Sequence, residues 1–516
     1  MSLSYSITPE IKVHKIKKQR CPNGTYRNKQ TGNCEPKNNT QKKRCPNGTY
    51  RNKKTGNCEV KHTDIHKKRC PNGTFRNKKT GNCEVKKQKT IKYKHEPQQK
   101  IIQRFMLNSR NVQKRRALFL KSVCSDSGVC IAFGQETKKI NDYFGGFIHF
   151  HHVTGIKQIG KPSSNGFVLE IQYTKDNYNA HTILKNSIDQ FSDNLAYEYF
   201  VGQYINKKSK FFPCFVETYG LFLRKNTKII NLQNELSLIS NKNESEIYQI
   251  SCKDSKKLSL LIQHISNANS IQDKIQNPYF NENDLLYVLY QIYMPLMCLQ
   301  NEFTHYDLHS ENVLLYEPVI SKYIQYHYFV DGIEIKFKSR YIAKIIDYGR
   351  CYFYDTDTNN SKVIHHKICR EAVCDPRCGD NYGYEWLQGA PLTEKNYYTD
   401  SSQLNVSNDL RLLEYIKINN LKTIPDFLNT YLEKVQYGVG IYKKSNKLYG
   451  TEPNINSGIP NTINNIQDAY WMLETLVNNP TTRKQNDQAY ANMTKLGDLY
   501  IFNDLSKPMK FTPFTH

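Results

Sequence analysis

The sequence lacks an apolar run long enough to cross a membrane as a helix, which takes about 18 residues or more. Its most apolar stretch, residues 285–299, is interrupted by three tyrosines, a glutamine and Pro295. The first 20 residues contain no apolar segment of the kind found in secretory signals, and they already carry five basic residues. We therefore expect no membrane span and no secretory signal, and a protein that folds in the cytosol.

Acidic residues are scarce in the first 120 residues, which hold 6 of the 47 Asp and Glu residues but 32 of the 73 Lys and Arg residues. The rest of the chain carries 41 charges of each sign, so the formal net charge of +26 belongs to this N-terminal arm. A basic arm can bind a polyanion such as nucleic acid, an anionic membrane or an acidic protein. A solvated tail that keeps the chain soluble is the alternative.

Three near-identical segments, residues 21–35, 45–59 and 70–84, follow one another in the arm with periods of 24 and 25 residues. Each begins with Cys-Pro-Asn-Gly-Thr, ends with Thr-Gly-Asn-Cys-Glu and places twelve residues between its two cysteines. Pro-Asn-Gly and Thr-Gly-Asn are turn-forming sequences. The repeats are therefore predicted to form short hairpin-like loops.

The repeat cysteines are compatible with three states. One disulfide in each repeat would contribute about 3 kcal/mol of stability by closing a short loop. A reducing cytosol would instead keep the thiols free. Zinc requires four ligands, so repeats would have to share an ion, and they contain no Cys-x-x-Cys pair.

Residues 305–312, His-Tyr-Asp-Leu-His-Ser-Glu-Asn, place Asp307 and Asn312 five positions apart, directly before an apolar segment. Phosphoryl transfer needs a carboxylate that accepts the proton of the attacking hydroxyl, and it needs oxygen ligands for magnesium. The spacing matches the catalytic loop of kinases. Asp307 is therefore predicted as the catalytic base and Asn312 as a magnesium ligand.

A second, largely apolar segment, residues 343–346, is followed directly by Asp347-Tyr-Gly. Asp347 lies 40 residues after Asp307. Kinases place the carboxylate that contacts the phosphates through magnesium in an Asp-x-Gly at such a strand end. Asp347 is therefore predicted as the second magnesium ligand. The apolar spacing also predicts a helix over 285–299 and an extra hairpin over 323–337.

A predicted strand, residues 180–185, ends in Lys185, and a helical segment that contains Glu198 follows soon after it. In kinases a lysine at this place holds the α- and β-phosphates, and a glutamate of the next helix orients it. Lys185 and Glu198 are therefore predicted as a catalytic ion pair, which requires the helix to begin quickly after the strand. The alternative is an exposed lysine and an exposed helical glutamate.

Two predicted strands, 155–160 and 166–173, flank a loop whose backbone N–H groups could cover phosphates, so Gly160 and Gly166 are candidate nucleotide-binding residues. The glycines do not have the Gly-x-Gly-x-x-Gly spacing, and a plain hairpin is the alternative.

The apolar segment that begins at residue 258 becomes polar at its end. This change favours a hinge that binds adenine at Gln263, His264 and Ile265.

The region after Asp347 contains no Ala-Pro-Glu between residues 350 and 400, so a standard activation segment is not expected. Residues 365–378 contain two histidines and three cysteines, namely His365, His366, Cys369, Cys374 and Cys378. Their separations are not those of a known zinc finger, so zinc is an alternative rather than a prediction. Asp409 is either the aspartate that braces a catalytic loop or an N-cap residue.

With these motifs, residues 150–420 resemble the protein-kinase superfamily, in particular the serine/threonine kinases of giant DNA viruses. The catalytic loop is similar to that of haspin, which also has Asp-Leu-His and lacks Ala-Pro-Glu. The resemblance implies an α+β, bilobal protein-kinase-like fold, ATP and Mg as cofactors, and a serine or threonine hydroxyl as acceptor. The Cys-bounded repeats resemble those of large DNA viruses, which implies a viral protein in the host cytoplasm or in the virus particle.

Two residues depart from the kinase pattern. Tyr306 replaces the arginine that pairs with a phosphorylated activation loop, so this type of regulation is not expected. His309 replaces a lysine that contacts the γ-phosphate, and histidine is common here in aminoglycoside and other small-molecule kinases. Three functions therefore stay open: a protein kinase of unknown substrate, a small-molecule kinase and a pseudokinase scaffold. The intact catalytic residues argue against the scaffold.

The composition, 38% hydrophobic and 12% aromatic, is sufficient for a large core. We expect a basic leader (1–20), three repeats (21–84), a basic linker (85–120), a small lobe with an N-terminal extension and an insertion (121–265), and a large lobe with an atypical activation segment (266–516). The basic repeats are expected to bind a polyanion, nucleic acid or a virion component.

Overall fold

The chain divides into two compact units, Met1–Gln98 and Gln99–His516, and the boundary falls within the predicted linker. The other predicted domain boundaries stay predictions. The computed structural model of the protein describes residues 25–27, 34–36, 49–52, 55, 57–60, 74–76, 83–85, 137–162, 166–176, 178–189, 194–226, 231–265, 268–368, 385–386, 397–398, 401–420, 423–437, 441–444, 447–451 and 459–514.

Each repeat of the first unit forms a two-stranded antiparallel hairpin, which confirms the prediction from its turn sequences. The strands are β1 (Thr25–Arg27), β2 (Cys34–Pro36), β3 (Thr49–Arg51), β4 (Cys58–Val60), β5 (Thr74–Arg76) and β6 (Cys83–Val85). In the second hairpin the side chain of Asn52 donates to Glu59 at 2.7 Å, and its backbone N–H donates to the carbonyl of Asn57 at 2.9 Å. The side chain and the backbone of one asparagine therefore close the turn.

The state of the repeat cysteines is described in part. Cys58 takes part in a disulfide. The first cysteine of every repeat, at positions 21, 45 and 70, lies outside the described residues. Pairing within each repeat therefore stays a prediction.

The second unit contains a six-stranded antiparallel sheet with the strand order β11-β10-β12-β9-β8-β7. These strands are β7 (Val153–Ile159), β8 (Gly166–Lys175), β9 (Tyr178–Ser187), β10 (Thr218–Arg224), β11 (Leu236–Leu238) and β12 (Leu258–Gln263). Side chains alternate between the two faces of a strand. Leu184 of β9 therefore belongs to the core on one face, whereas Ile183 packs against the core on the other.

Helices cover both faces of this sheet. A short helix, α1 (Thr137–Tyr143), and the aromatic residues after it pack on the face that carries Ile171 and Leu184. A longer helix, α2 (Leu195–Lys208), packs on the opposite face, which carries Leu260. Two further helices, α3 (Leu232–Glu235) and α4 (Glu244–Lys253), lie between β10 and β12 in the chain. Strands β9, β10 and β12 are therefore covered on both faces, whereas the edge strand β7 is largely exposed. Lys185 lies on the face that α2 covers.

The rest of the second unit contains both helices and small sheets. Its helices are α5 (Ile271–Lys274), α6 (Pro278–Asn283), α7 (Leu285–Cys298), α8 (Ser361–His366), α9 (Arg411–Asn420), α10 (Asp426–Glu433), α11 (Ile466–Asn478) and α12 (Pro480–Ala489). Helix α7 confirms the helix predicted over 285–299, and nearly all of its side chains are buried. Across the described ranges, no helix combines the length and the apolar character needed to cross a membrane.

Two small sheets join the strands that flank the two candidate motifs, residues 305–312 and 347–349. One has the order β13 (Asn269–Ser270), β15 (Val313–Tyr316) and β18 (Ile342–Ile345), and the other pairs β14 (Phe303–Thr304) with β19 (Tyr352–Phe353). β15 and β18 are antiparallel, with Val313 opposite Ile345. The residue before β15, Asn312, and the segment after β18, which contains Asp347, therefore lie at the same edge.

An additional four-stranded sheet has the order β17-β16-β24-β25. The pair β16 (Lys322–Val330) and β17 (Ile333–Ser339) confirms the hairpin predicted between the two motifs. The strands β24 (Thr494–Phe502) and β25 (Lys510–Pro513) extend it, and β24 runs parallel to β16. Two further strand pairs are β20 (Glu385–Trp386) with β21 (Tyr397–Tyr398) and β22 (Ile441–Lys444) with β23 (Lys447–Thr451). The second unit is thus a mixed helix-and-sheet fold.

Candidate functional site

Lys185 in β9 contacts two carboxylates from distant parts of the chain. Its Nζ lies 2.7 Å from Glu198 Oε1 in α2 and 2.9 Å from Asp347 Oδ1, two residues beyond β18. The side chain of Glu198 is 4% exposed, whereas that of Asp347 is 44% exposed. Glu198 is therefore the enclosed partner of Lys185, and Asp347 is the partner that faces solvent.

The two neighbouring carboxylates stabilise the charged form of Lys185. Burial by itself would lower the pKa of Lys185, but the carboxylates of Asp347 and Glu198 outweigh burial and raise that pKa. The ammonium of Lys185 in turn lowers the pKa of Asp347, against the opposing effect of burial. Because Asp347 is nearly half exposed, solvent screens its share of the attraction. The ammonium of Lys185 and the carboxylate of Asp347 are therefore charged at neutral pH.

Glu198 is positioned by the way α2 begins and packs. The side chain of Asn194 accepts a hydrogen bond from the backbone N–H of Ala196, so the helix begins promptly after β9, as the proposed ion pair requires. One turn after Glu198, a Cβ on Gly202 would lie 2.1 Å from Thr218 Oγ1. Glycine therefore permits α2 to approach β10 closely, on the helix face that also carries Glu198.

The loop 305–312 is held by a buried aspartate. Asp409 accepts the backbone N–H of His305 at 2.7 Å and that of Tyr306 at 2.9 Å. Tyr306 has a φ of +63°, a strained conformation for a residue other than glycine, and its hydroxyl donates to the Gln403 carbonyl at 2.7 Å. Asp409 therefore acts as a brace of the loop rather than as an N-cap.

The loop is also tied to the segment that carries Asp347. Burial lowers the pKa of His305 to about 4, so its ring is neutral at pH 7. His305 Nε2 lies 3.0 Å from the Ile346 carbonyl, and Asp307 N lies 3.3 Å from its Nδ1. These partners assign the proton to Nε2. Ile346 N donates to the Asn312 carbonyl at 3.0 Å. The two motifs are therefore joined by hydrogen bonds on both sides of Ile346.

Asp307 is surrounded by cationic and polar side chains. Its Oδ1 lies 2.6 Å from Arg411 Nη1, and its Oδ2 lies 3.2 Å from Arg350 Nη1. His309 Nε2 is 3.9 Å from Oδ1. The Asp307 side chain is 12% exposed. The carboxylate is thus held by a different guanidinium at each oxygen.

The predicted phosphate-covering glycines lie on the hairpin of β7 and β8. Gly160 follows β7 with a φ of +65°, in the left-handed region that favours glycine, and no atom of the described residues lies within 4 Å of where a Cβ would stand. A Cβ on Gly166 would lie 2.0 Å from the Asn186 carbonyl oxygen of β9. The packing of β8 against β9 therefore accounts for the glycine at 166. Part of the loop between these glycines, residues 163–165, lies outside the described residues.

The predicted hinge lies where β12 ends at Gln263. Gln263 N donates to the Glu217 carbonyl at 2.7 Å, and His264 N lies 3.3 Å from the His181 carbonyl. Ile265, the last residue of the predicted hinge, is buried in the main core. These contacts hold the segment against β9 and the residues that precede β10.

The His264 side chain belongs to a polar cluster on the sheet. His264 Nε2 and His181 Nδ1 lie 3.3 Å and 2.9 Å from the same Glu170 oxygen. Burial lowers the pKa of His264 to about 4, so this contact is a hydrogen bond of a neutral ring rather than an ion pair. The side chain of His264 therefore faces the sheet.

The donor set at the edge of β15 and β18 fits magnesium, which prefers oxygen ligands. Asn312 Nδ2 donates to the Asp307 carbonyl at 2.9 Å, so Oδ1 is the side-chain atom suited to a metal. Asp347 supplies a carboxylate. The described part of the chain contains no cluster of three or more His, Cys, Asp or Glu side chains suited to a metal. A magnesium ion here would take its other ligands from phosphate and water.

The possible zinc site after α8 is described only in part. Cys369, Cys374 and Cys378 lie outside the described residues. His365 is buried, with its ring 4.1 Å from that of Tyr197, centroid to centroid.

The structure thus brings together Lys185, Glu198 and Asp347, and it joins Asp307 and Asn312 to the same segment by hydrogen bonds. Sequence reasoning missed Arg350 and Arg411. Arg350 comes directly after Asp347-Tyr-Gly, and Arg411 comes two residues after Asp409. A basic residue two or three positions after each of these aspartates was the pattern that could have identified them.

Comparisons with known proteins add little to this description. No protein-family model matches the chain, and no curated protein matches it. Among solved structures, the crystal structure of a kinase domain is 16% identical, with a TM-score of 0.24. The match covers 41% of this chain and about half, 54%, of that chain. At this TM-score the likeness carries no argument about function.

Proposed function

We propose that the second unit is an ATP- and Mg-dependent phosphotransferase with a bilobal protein-kinase-like fold, which transfers the γ-phosphate of ATP to a serine or threonine hydroxyl of a protein. The observation that carries this proposal is the contact of Lys185 with both Glu198 and Asp347, which lie 13 and 162 residues away along the chain. Three separate elements converge to place one cation between two carboxylates. A phosphotransferase uses this arrangement to hold phosphate and metal.

The side chains take the following roles in this proposal. Lys185 binds the α- and β-phosphates, and Glu198 keeps its ammonium in place. Asn312 and Asp347 hold magnesium, which neutralises charge on the phosphates when it is bound. Asp307 accepts the hydroxyl proton while the acceptor oxygen bonds to the γ-phosphorus and the bond to the β–γ bridging oxygen breaks, so that ADP leaves.

The nucleotide lies under the six-stranded sheet in this proposal. The hairpin with Gly160 and Gly166 covers the phosphates, and backbone groups of Gln263, His264 and Ile265 bind adenine. The support for this placement is that Ile183 packs on the α2 face of the sheet, the face that Lys185 also shares.

The site is proposed to work without a phosphorylated activation loop. Tyr306 stands where an arginine would pair with such a phosphate, and its hydroxyl is bonded to the Gln403 carbonyl. Asp409 holds the same loop through backbone N–H groups. Contacts within the protein therefore already support the loop 305–312, so a phosphate on an activation loop is not needed to hold it.

The N-terminal arm is proposed to anchor the enzyme to a polyanion, nucleic acid or a virion component, in the host cytoplasm or in the virus particle. The support is its charge, because the whole net charge of +26 lies before residue 121.

The experiment that tests the proposed function is phosphate transfer from labelled ATP to a peptide mixture and, in parallel, to a panel of small alcohols. Wild type is expected to label serine or threonine peptides, and Lys185→Met is expected to remove this labelling because the phosphates lose their ligand. Lys207→Met is the matched control, since Lys207 is a half-exposed lysine of α2 that pairs with Asp355. Labelling of alcohols alone would indicate a small-molecule kinase, and no magnesium-dependent labelling at all would refute the proposal.

A further inference from the structure

Two arginines contact Asp307, and the motifs assign no role to either of them. Arg411 Nη1 lies 2.6 Å from Oδ1, and Arg350 Nη1 lies 3.2 Å from Oδ2. All three side chains are at most 14% exposed. The two guanidinium groups therefore do more than screen a surface carboxylate, because they hold the proposed base in one orientation in a poorly hydrated site.

Arg411 is positioned rigidly with respect to the catalytic loop. It is the first residue of α9 and follows Asp409 by two residues. Asp409 accepts the backbone N–H groups of His305 and Tyr306. The turn that contains Asp409 thus also places Arg411 beside Asp307. The contacts of Asp409 with the loop therefore fix the distance between Arg411 and Asp307.

The position of Arg411 coincides with the place of phosphoryl transfer. A hydroxyl that gives its proton to Asp307 Oδ1 must approach that oxygen within about 2.6–3.2 Å. Arg411 contacts the same oxygen, so its guanidinium lies within roughly 5–6 Å of the attacking oxygen. The γ-phosphoryl group that this oxygen attacks is therefore within reach of a planar fork with five N–H donors.

Arg411 lies nearer to this oxygen than its neighbour His309 does. His309 Nε2 is 3.9 Å from Oδ1, whereas Arg411 Nη1 is 2.6 Å from it. Lys185 lies at the other carboxylate, Asp347. Phosphoryl transfer requires positive charge on the oxygens of the group in transit. Arg411 contacts Asp307 Oδ1 directly and can therefore provide this charge where the hydroxyl attacks.

We propose that Arg411 is a catalytic residue that binds the γ-phosphoryl group of ATP, and that Arg350 positions Asp307 through its other oxygen. The inference rests on the proposed function, because it assigns a further residue of the same site. As the bond from the γ-phosphorus to the β–γ bridging oxygen breaks and the bond to the acceptor oxygen forms, Arg411 donates to the oxygens of the group in transit. The proton goes to Asp307, and ADP leaves.

Equilibrium binding of Mg-ATP and Mg-ADP to the full-length protein, measured by titration calorimetry, tests this inference. The two ligands differ by the γ-phosphoryl group alone. Arg411→Met is expected to weaken ATP binding about 10- to 100-fold, as for the loss of a hydrogen bond between charged groups, and to leave ADP binding within about twofold. Arg411→Lys is expected to recover part of the loss because it keeps the charge.

A second pair of variants separates direct contact from the compensation of Asp307. Removing Arg411 takes one of the two guanidinium groups away from the Asp307 carboxylate. The less compensated carboxylate would then repel phosphate even if Arg411 never contacted it. In the Asp307→Asn background that repulsion is absent. If Arg411 contacts the γ-phosphoryl group, adding Arg411→Met to Asp307→Asn still weakens ATP binding about 10-fold or more and spares ADP binding.

Each contrary outcome has a distinct meaning. Equal ATP affinities of Asp307→Asn and the double variant would overturn the inference, because Arg411 would then only compensate Asp307. Parallel losses of ATP and ADP affinity would also overturn it, since they would indicate a structural role. In both cases the proposed function stands. If wild type binds neither nucleotide, the proposed function fails, and the inference fails with it.

Discussion

The replacement of Asp409 by asparagine should change the pH dependence of stability in a defined direction. The Asp409 side chain is fully buried, and burial raises its pKa from 3.8 to about 7 although the N–H groups of His305 and Tyr306 oppose the change. The rise corresponds to a cost on the order of 4 kcal/mol for keeping the carboxylate ionised in the folded protein. Asparagine carries no charge and still offers one oxygen to the loop.

The sign of the effect follows from proton binding. Below a pH of about 4, the Asp409 carboxyl is protonated in both the folded and the unfolded protein, and it contributes no pH dependence. Between about 4 and 7 the folded protein holds a proton that the unfolded chain has lost, so the free energy of unfolding falls by about 1.4 kcal/mol per pH unit. Above 7 the loss is complete. Wild type therefore loses stability relative to Asp409→Asn as the pH rises.

The measurement is the free energy of urea unfolding of wild type and Asp409→Asn at several pH values between 5 and 8. Their difference isolates Asp409, because the other titrating groups are common to both proteins. We expect wild type to lose about 3 kcal/mol relative to the variant between pH 5 and pH 8. A difference in unfolding free energy that is constant with pH, or that changes in favour of wild type as the pH rises, would refute the account. Either result would mean that burial does not raise the pKa of Asp409.

The remaining predictions concern the pair, the regulation and the arm. Glu198→Gln should reduce transfer about 10-fold or more, because Lys185 loses its enclosed partner; unchanged turnover at limiting ATP would speak against this role. Phosphatase treatment should leave the rate unchanged, since Tyr306 cannot pair with a phosphate; a loss restored by autophosphorylation would contradict this. A chain that begins near residue 121 should keep transfer but lose salt-sensitive binding to polyanions, because the net charge lies before that residue; unfolding on truncation would refute the domain division. Intact mass of unreduced protein should show the pairs Cys21/Cys34, Cys45/Cys58 and Cys70/Cys83 oxidised, and free thiols would exclude them.

Sequence predicted the features that depend on local pattern. Helix α7 and the hairpin of β16 and β17 follow from apolar spacing and from one turn, so they are visible within a short window. The hairpins of the repeats follow from their turn sequences in the same way. The pairing of β16 with β24 was not predicted, because it joins segments about 170 residues apart, and no local pattern records such a partner. The packing of α1 against the six-stranded sheet was not predicted either, for the same reason.

The candidate site shows a similar division. Asp307, Asn312 and Asp347 stand at strand ends within recognisable motifs, and sequence order was sufficient to propose them. Arg411 became visible only in the structure, because its partner Asp307 lies 104 residues away. For Arg350 the separation is 43 residues. The sequence shows these arginines only as basic residues shortly after Asp347 and Asp409, and it does not show that both contact Asp307.

Phosphate transfer by wild type, Asp307→Asn and Asp347→Asn at saturating ATP tests the central claim most directly. Both variants should lose transfer while remaining folded, because one lacks the base and the other a metal ligand. Asp307→Asn should still bind Mg-ATP, since the contacts of Lys185 with Glu198 and Asp347 are intact, whereas Asp347→Asn should bind it more weakly when magnesium is present. Near-normal transfer by both variants would contradict the assignment of the site.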